Sequence, residues 1–279
     1  MKLAYFPNQI ALNADPVLKA FLAGCQRLGM ECVSNQYDAD MAVIWSVVWM
    51  GRMRQNRAVY EHYTRQGKPV FILEVGSLRR NFTWKVSLNN VNGAGIFSND
   101  ENFLNDREKF LDVHLQPSKI NRRPEILIAG QHQHSQQWQD MPSMDDWIGQ
   151  TIEEIRKYTQ RPIIVRPHPR SPIRMRSLGN IVVESPRKIP GSYDNYNLLY
   201  DYHCVINWNS GVAQQSAING CPIITGPTSL AYELSGRIEN IEHVSLPDRE
   251  NWFKKILHTE WLVEELAQGI PQRRFLDKL

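Results

Sequence analysis

The sequence predicts an α/β fold built as two parallel-sheet domains, and three observations carry that prediction. Short apolar runs alternate with segments of helical periodicity, the pattern of strand–helix–strand units. The alternation runs through residues 2–75, breaks over residues 79–95 and restarts at Glu125. The strand-like runs are apolar throughout rather than every second residue, as in strands covered on both faces. With 279 residues, 42% hydrophobic and 22% charged, the chain is long and apolar enough to bury two cores.

In the first half, residues 2–6 read as a strand. Asp15 and Pro16 start a helix, with proline near its first turn. Val17, Leu18, Phe21, Leu22, Cys25 and Leu28 then recur at helical spacing, and Gly29 ends the run. Residues 31–34 and 41–49 read as strands, 54–66 as a helix stopped by Gly67, and 69–75 as a buried strand. Residues 79–95 break the rhythm with Asn-Asn and Asn-Gly turn signals, and 105–115 read as a helix. The polar, basic, proline-punctuated stretch 117–124 marks a domain boundary, giving domains 1–118 and 119–279. In the second half, 125–129 is a strand and 131–144 a polar loop. Residues 145–158 form an amphipathic helix with Ile148, Ile152 and Ile155 on one face. Strands follow at 163–166, 181–183, 205–207 and 221–225, helices at 193–203 and 211–219, and a largely helical tail at 249–268.

The net charge of +3 arises from 32 basic and 29 acidic side chains, far from the bias of a histone-like binder. The basic residues cluster, however, around Arg79–Lys85, Lys119–Arg123 and Arg166–Arg176, as suits phosphate recognition or a plain solvated surface. The four cysteines form no C-x-x-C pair, which favours a reducing, cytoplasmic compartment. No signal-peptide pattern is present at Met1–Pro7. The longest apolar-rich run, residues 41–50, falls short of the about 20 residues that span a bilayer.

Ligands of open parallel sheets bind beyond the carboxyl ends of the strands, and three segments of the second half end strands in suitable chemistry. In Ile163-Ile164-Val165-Arg166-Pro167-His168-Pro169-Arg170, a strand delivers arginine and histidine into a turn stiffened by two prolines. Arg166 and Arg170 can fork onto phosphate oxygens and His168 can donate to one. In Val205-Ile206-Asn207-Trp208-Asn209-Ser210-Gly211, a strand ends at a helix start. Ser210 is placed to cap that helix and Gly211 to admit a ligand close to the backbone. The helix N-terminus favours phosphate, and Gln214 or Gln215 can reach a ribose or sugar hydroxyl. Cys221-Pro222-Ile223-Ile224-Thr225-Gly226-Pro227 supplies a further wall. Each segment also has an ordinary structural reading as a turn or a capped helix.

Taken together, R-P-H-P followed by N-S-G-x-x-x-Q-x-A-x-x-G-x-P-I-I resembles the C-terminal donor domain of GT-B glycosyltransferases, across residues 125–227. The likeness is to capsule-type sugar transferases and to bacteriophage DNA glycosyltransferases. The resemblance implies two Rossmann-like domains facing a central cleft. It assigns Arg166, His168, Ser210 and Gly211 to the donor phosphates, and Arg170 and Asn209 join them as donor-binding candidates. It places Gln131 at the cleft and puts Gln214 or Gln215 where such enzymes carry an acidic ribose ligand. It also implies a nucleotide-sugar co-substrate, UDP-linked, with no metal and no cofactor. His132 and His134 form an H-x-H without a carboxylate or cysteine at ligand spacing, a poor metal site. Residues 261–269 resemble a C-terminal helix of such proteins.

An inverting transferase needs a base for the acceptor hydroxyl. Glu74, ending the strand 70–73, is the first candidate, with Asp38 and Asp100 behind it; a retaining mechanism would need no such base. Arg79, Arg80, Trp84 and Lys85 interleave cations with aromatics, fitting either a nucleic acid or a stacked sugar. Two transferase readings follow. One takes a hydroxymethylated pyrimidine in phage DNA, such as hydroxymethylcytosine, as acceptor. The other builds capsule or lipopolysaccharide glycan. A non-catalytic nucleotide-sugar or nucleic-acid binding protein is the third.

Overall fold

The computed structural model describes residues 1–98, 102–119, 122–191, 196–197, 200–276 and 278. The chain divides into two compact units. Unit 1 comprises residues 1–113, 134–137 and 254–279, and unit 2 comprises residues 114–133 and 138–253.

Unit 1 contains β1 (Lys2–Tyr5), α1 (Asp15–Arg27), β2 (Glu31–Ser34), β3 (Met41–Trp45), α2 (Asn56–Arg65), β4 (Val70–Val75), β5 (Trp84–Leu88) and α3 (Arg107–Leu111). Strands β2, β1, β3 and β4 lie side by side and parallel. Their side chains alternate between two cores. Met41, Val43 and Trp45 join Leu3, Phe71 and Leu73 against α1. Ala42 and Ile44 join Ala4, Val70 and Ile72 against Val59 and Tyr63 of α2. Burial on both faces is why β3 and β4 read as unbroken apolar runs.

The break in rhythm at 79–95 is a reversal, not a loop. β5 runs antiparallel to β4, pairing Glu74 with Lys85 and Val75 with Trp84. Its W-K-V-S-L sequence alternates as a strand should: Trp84, Val86 and Leu88 enter the core shared with α1. The helix expected over 105–115 is confined to Arg107–Leu111.

Unit 2 contains β6 (Ile126–Ala129), α4 (Met144–Arg156), β7 (Ile163–Arg166), β8 (Ile181–Val183), β9 (Arg187–Lys188), β10 (Tyr196–Asn197), β11 (Cys204–Asn207), α5 (Gly211–Ile218), β12 (Ile223–Thr225) and α6 (Glu250–Leu257), whose last four residues fall in unit 1. The main sheet has the order β12-β11-β6-β7-β8, and every pairing in it is parallel. Ile148, Ile152 and Ile155 of α4 pack on Ile126, Ile128, Ile163 and Val165, as the periodicity predicts. Val212 of α5 packs on the opposite face with Leu127, Ile164, Val205 and Tyr202. The helix expected over 193–203 does not form where it is described: Tyr196–Asn197 pair antiparallel with Arg187–Lys188, and residues 200–203 lead into β11 without a helix. Residues 193–195 and 198–199 lie outside the described residues.

The tail departs from the boundary at 118/119. Residues 254–279, assigned by sequence to the second domain, belong to unit 1. They supply β13 (Glu260–Trp261), α7 (Val263–Gln268) and α8 (Ile270–Leu276). β13 extends the first sheet beyond β5, giving the order β13-β5-β4-β3-β1-β2. Trp261, Leu266 and Phe275 are fully buried in the core beneath α1. Gly24 allows this packing, because a Cβ there would collide with Leu266 O and Gly269 Cα. Among the described residues, no helix is long and apolar enough to cross a membrane.

Candidate functional site

In unit 2 the chain lays down β6, moves to β7 and β8 on one side, then returns to place β11 and β12 on the other. The topological switch point therefore falls between β6 and β11, where open α/β sheets open a crevice at their carboxyl ends. The residues that follow these strands are Gly130-Gln131-His132 after β6 and Trp208-Asn209-Ser210 after β11.

These two loops are tied together. Gln131 Nε2 donates to Asn209 Oδ1 at 2.9 Å, and Asn209 N donates to Gln131 Oε1 at 3.1 Å. Asn209 Nδ2 donates on to Thr228 Oγ1 at 2.9 Å, beyond β12. On the other side of β6, the His132 and His168 rings meet edge to face with centroids 5.2 Å apart. The strand ends thus form one continuous polar strip running His168, His132, Gln131, Asn209 and Ser210. The histidine between prolines and the glycine-opened helix start belong to the same edge of the same sheet.

The turn after β7 sets the chemistry of its histidine. Arg170 N–H donates to His168 Nδ1 at 3.1 Å, which fixes the neutral ring with its proton on Nε2, a hydrogen-bond donor. Arg170 itself is exposed. Arg166 is only 6% exposed. Its Nη2 donates to Tyr202 Oη at 2.7 Å, and Glu184 lies 3.7 Å away. Its Nε and Nη1 are buried and have no hydrogen-bond partner among the described residues. Two unmet nitrogens on a buried cation, with three N–H groups between them, are costly, and an anionic ligand would offset the cost.

Helix α5 is opened differently from the sequence expectation. Ser210 occupies the N-cap position but its side chain makes no capping bond. Asn207 does related work one turn earlier, its Oδ1 accepting from Ser210 N at 2.8 Å while its Nδ2 holds Ala129 O at 2.9 Å. The Ser210 hydroxyl has no hydrogen-bond partner among the described residues. It sits beside the N-terminal N–H groups of α5, where the helix dipole favours negative charge. Gly211 begins the helix, Gln214 is buried and Gln215 is partly exposed. Tyr202, Asn207 and Thr228 escaped the sequence reading. Asn207 was visible as the asparagine ending β11, but Tyr202 was hidden inside a presumed helix.

The candidates of unit 1 divide. Glu74 stands at the end of β4, partly exposed, and accepts from Ser46 Oγ at 2.6 Å and from Val75 N at 2.9 Å. Arg79 and Arg80 lie on the turn before β5. Arg79 covers the exposed Phe82 ring at 4.7 Å and donates to Leu111 O at 3.1 Å. Trp84 and Lys85 are corrected: neither is a surface contact. Trp84 is core, packed on Trp45 with ring centroids 5.7 Å apart. Lys85 is buried between Glu74 and Glu260, its cross-strand neighbours on either side. Burial lowers the Lys85 pKa, and the charges of Glu260 and then Glu74 oppose that shift. Asp38 is exposed in the β2–β3 loop, and Asp100 lies outside the described residues. His132 is buried and His134 exposed. Among the described residues, no three of His, Cys, Asp or Glu cluster as a metal site.

Against this geometry, comparison with solved structures gives the fold. The chain matches a β-Kdo 2,4 transferase, KpsC of Thermosulfurimonas dismutans, over 93% of its own length and 90% of that chain, with a TM-score of 0.55 and 13% identity. The protein has the GT-B-like α/β fold. At this identity the likeness speaks for the fold alone. A β-Kdo 2,7 transferase of KpsC from the same organism matches at a TM-score of 0.48 and 12% identity, covering 98% of this chain and all of that one. The UDP-GlcNAc 2-epimerase of Methanocaldococcus jannaschii, in complex with UDP-GlcNAc and UDP, matches at 0.32 and 13%, with both chains fully covered. These last two scores are too low to carry an argument. No protein-family model and no curated protein sequence matches the chain.

Proposed function

We propose that this protein is a glycosyltransferase that takes a sugar from a nucleotide-sugar donor held at the carboxyl end of the unit 2 sheet. The observation that carries the reading is the buried guanidinium of Arg166, whose Nε and Nη1 are unmet among the described residues, on the sheet edge that also carries the Ser210 hydroxyl, likewise unmet among them, and the His168 Nε2–H. Donors from a buried cation, a hydroxyl, an imidazole and a helix N-terminus suit a phosphate. The Gln131–Asn209 lock across the switch point suits the adjoining nucleoside or sugar. A UDP-linked donor is part of this reading. Glu74 of unit 1 serves as base for the acceptor hydroxyl. Its carboxylate accepts two bonds within the protein and retains lone pairs for a third.

The acceptor in this reading is a glycan hydroxyl. Two observations support it over DNA. Trp84 and Lys85, half of the cation–aromatic set that would read a nucleic acid, are buried. One solved structure of the same fold, 13% identical, is that of a β-Kdo 2,4 transferase. A hydroxymethylated pyrimidine in DNA stays as the second reading because Arg79 over exposed Phe82 keeps one cation–ring pair at the surface.

The test is transfer from a panel of nucleoside-diphosphate and nucleoside-monophosphate sugars to oligosaccharides and to hydroxymethylcytosine DNA, read by mass. Mass gain on oligosaccharide supports the first reading and mass gain on DNA the second. Donor binding without transfer to either points to a non-catalytic binding protein. His168→Ala should weaken donor binding about ten-fold, the loss of one charge-assisted bond, with an unchanged melting temperature. Undiminished affinity would remove the site.

A further inference from the structure

The unit 1 sheet has its own switch point. β1 is laid down first, β2 joins one side and β3 the other, so the carboxyl ends of β1 and β3 flank the crevice. The residue that follows β3 there is Ser46, and its backbone is unusual: φ is +63°, a left-handed conformation that serine rarely adopts. A non-glycine residue held there is strained and persists only where the surroundings over-determine it.

Three bonds do so. Ser46 N donates to Leu73 O of β4 at 2.8 Å. The carbonyl just before it, Trp45 O, accepts from Asn56 Nδ2 at 2.6 Å, and the same Nδ2 holds Gln9 O at 3.0 Å. Only an amide NH2 can serve two carbonyls, so the orientation of Asn56 is fixed by its partners. The conformation aims the Ser46 side chain along the sheet edge to Glu74. Val48 N–H donates into Ser46 Oγ at 3.2 Å, so the hydroxyl proton is directed at Glu74 Oε2, 2.6 Å away. That is a charge-assisted bond of the stronger, shorter kind. The other carboxylate oxygen accepts Val75 N–H. On the neighbouring strand Lys85 faces Glu74, and beyond it stands Glu260. Glu260 is occupied by Ser77 N, Ser77 Oγ, Leu78 N and Thr83 Oγ1, so it is held away from Glu74.

We propose that Ser46 is a positioning residue. Its strained backbone and polarised hydroxyl fix the rotamer of the Glu74 carboxylate, leaving that group's remaining lone pairs for an acceptor hydroxyl. The proposal rests on the reading of Glu74 as the base of a transferase. A structural role alone would favour glycine, which accepts this φ without cost. The strain is retained for the hydroxyl.

Three variants test it. Ser46→Gly keeps the backbone and deletes the hydroxyl. Ser46→Asn tolerates the left-handed region and supplies an amide donor. Glu74→Gln is the reference. In protein carrying carbon-13 at the glutamate carboxyls, the Glu74 resonance is the one lost in Glu74→Gln. It should move in Ser46→Gly and return part of the way in Ser46→Asn, and the melting temperature of Ser46→Gly should equal or exceed that of the wild type. With the best donor–acceptor pair of the panel, Ser46→Gly should lower kcat about 10- to 100-fold with donor KM unchanged. Ser46→Asn should recover part of the loss.

An unmoved Glu74 resonance overturns the proposal, as does full kcat in Ser46→Gly or a loss there beside full activity in Glu74→Gln. If the wild type transfers no sugar, the transferase reading falls. The resonance arm still decides whether Ser46 holds Glu74.

Discussion

Burying His203 beside two arginines works against its protonated form. The ring is 7% exposed, and its Nε2 meets Ile241 O at 2.6 Å. Burial lowers its pKa most. The Ile241 bond and Glu242 oppose the shift, while Arg161 and Arg122 add to it. The folded pKa therefore lies below that of the unfolded chain, about 6.5. The contribution of the neutral ring is present in full above that value and drains away as pH falls toward the folded one. The melting temperature should drop more between pH 7 and pH 5 in the wild type than in His203→Gln. Equal drops in paired thermal melts would contradict it. At this scale the sequence was informative where chain stiffness and strand position decide direction. Arg166 and His168 follow an apolar strand into a proline-braced turn, and both sit at the sheet edge. It was silent on Ser46, because a left-handed φ depends on bonds from Leu73 and Asn56, distant in sequence.

Among the elements, β5 shows how a local signal misleads. Arg79-Arg80-Asn81-Phe82-Thr83-Trp84-Lys85 carries cations between rings, and composition alone reads it as a surface loop. The alternation of Trp84, Val86 and Leu88 was in the sequence. What was not legible was that Lys85 would be offset by carboxylates on both neighbouring strands, one of them 175 positions away by numbering. The C-terminal elements rest on a similar long-range pair. Arg107, at the start of α3, donates from Nη1 to Glu265 Oε1 at 2.6 Å, from Nε to Leu257 O at 2.8 Å and from Nη2 to Glu260 O at 2.5 Å. It lies over the Trp261 ring at 4.1 Å. Both side chains of the ion pair are almost wholly buried, at 2% and 5%. Arg107→Leu leaves Glu265 as an uncompensated buried charge and should cost about 3–5 kcal/mol, read by urea denaturation. The double variant Arg107→Leu/Glu265→Leu should recover part of that loss. A single variant as stable as the wild type would mean the pair contributes little.

Across the whole molecule, the fold class was readable because both sheets are mostly parallel and buried on two faces, a pattern that leaves unbroken apolar runs. The partition of the tail was not readable. Nothing local in Trp261-Leu262-Val263-Glu264-Glu265-Leu266 says which sheet it completes; that is set by the groove that Gly24 opens along α1 and by the free edge of β5. The consequence is a stability coupling between the two ends of the chain. Phe275 is fully buried and meets Phe71 edge to face, ring centroids 5.3 Å apart, in the middle of the first sheet. Phe275→Ala opens a cavity there and should cost about 3–5 kcal/mol. The loss belongs to unit 1, so amide hydrogen exchange should quicken in peptides spanning β1, β3 and β4. Peptides spanning β6, β7 and β11, whose cores are built from other side chains, should keep their protection. Faster exchange centred on residues 126–129 and 163–166 instead would mean that the tail stabilises unit 2, and the division of the chain would have to be redrawn.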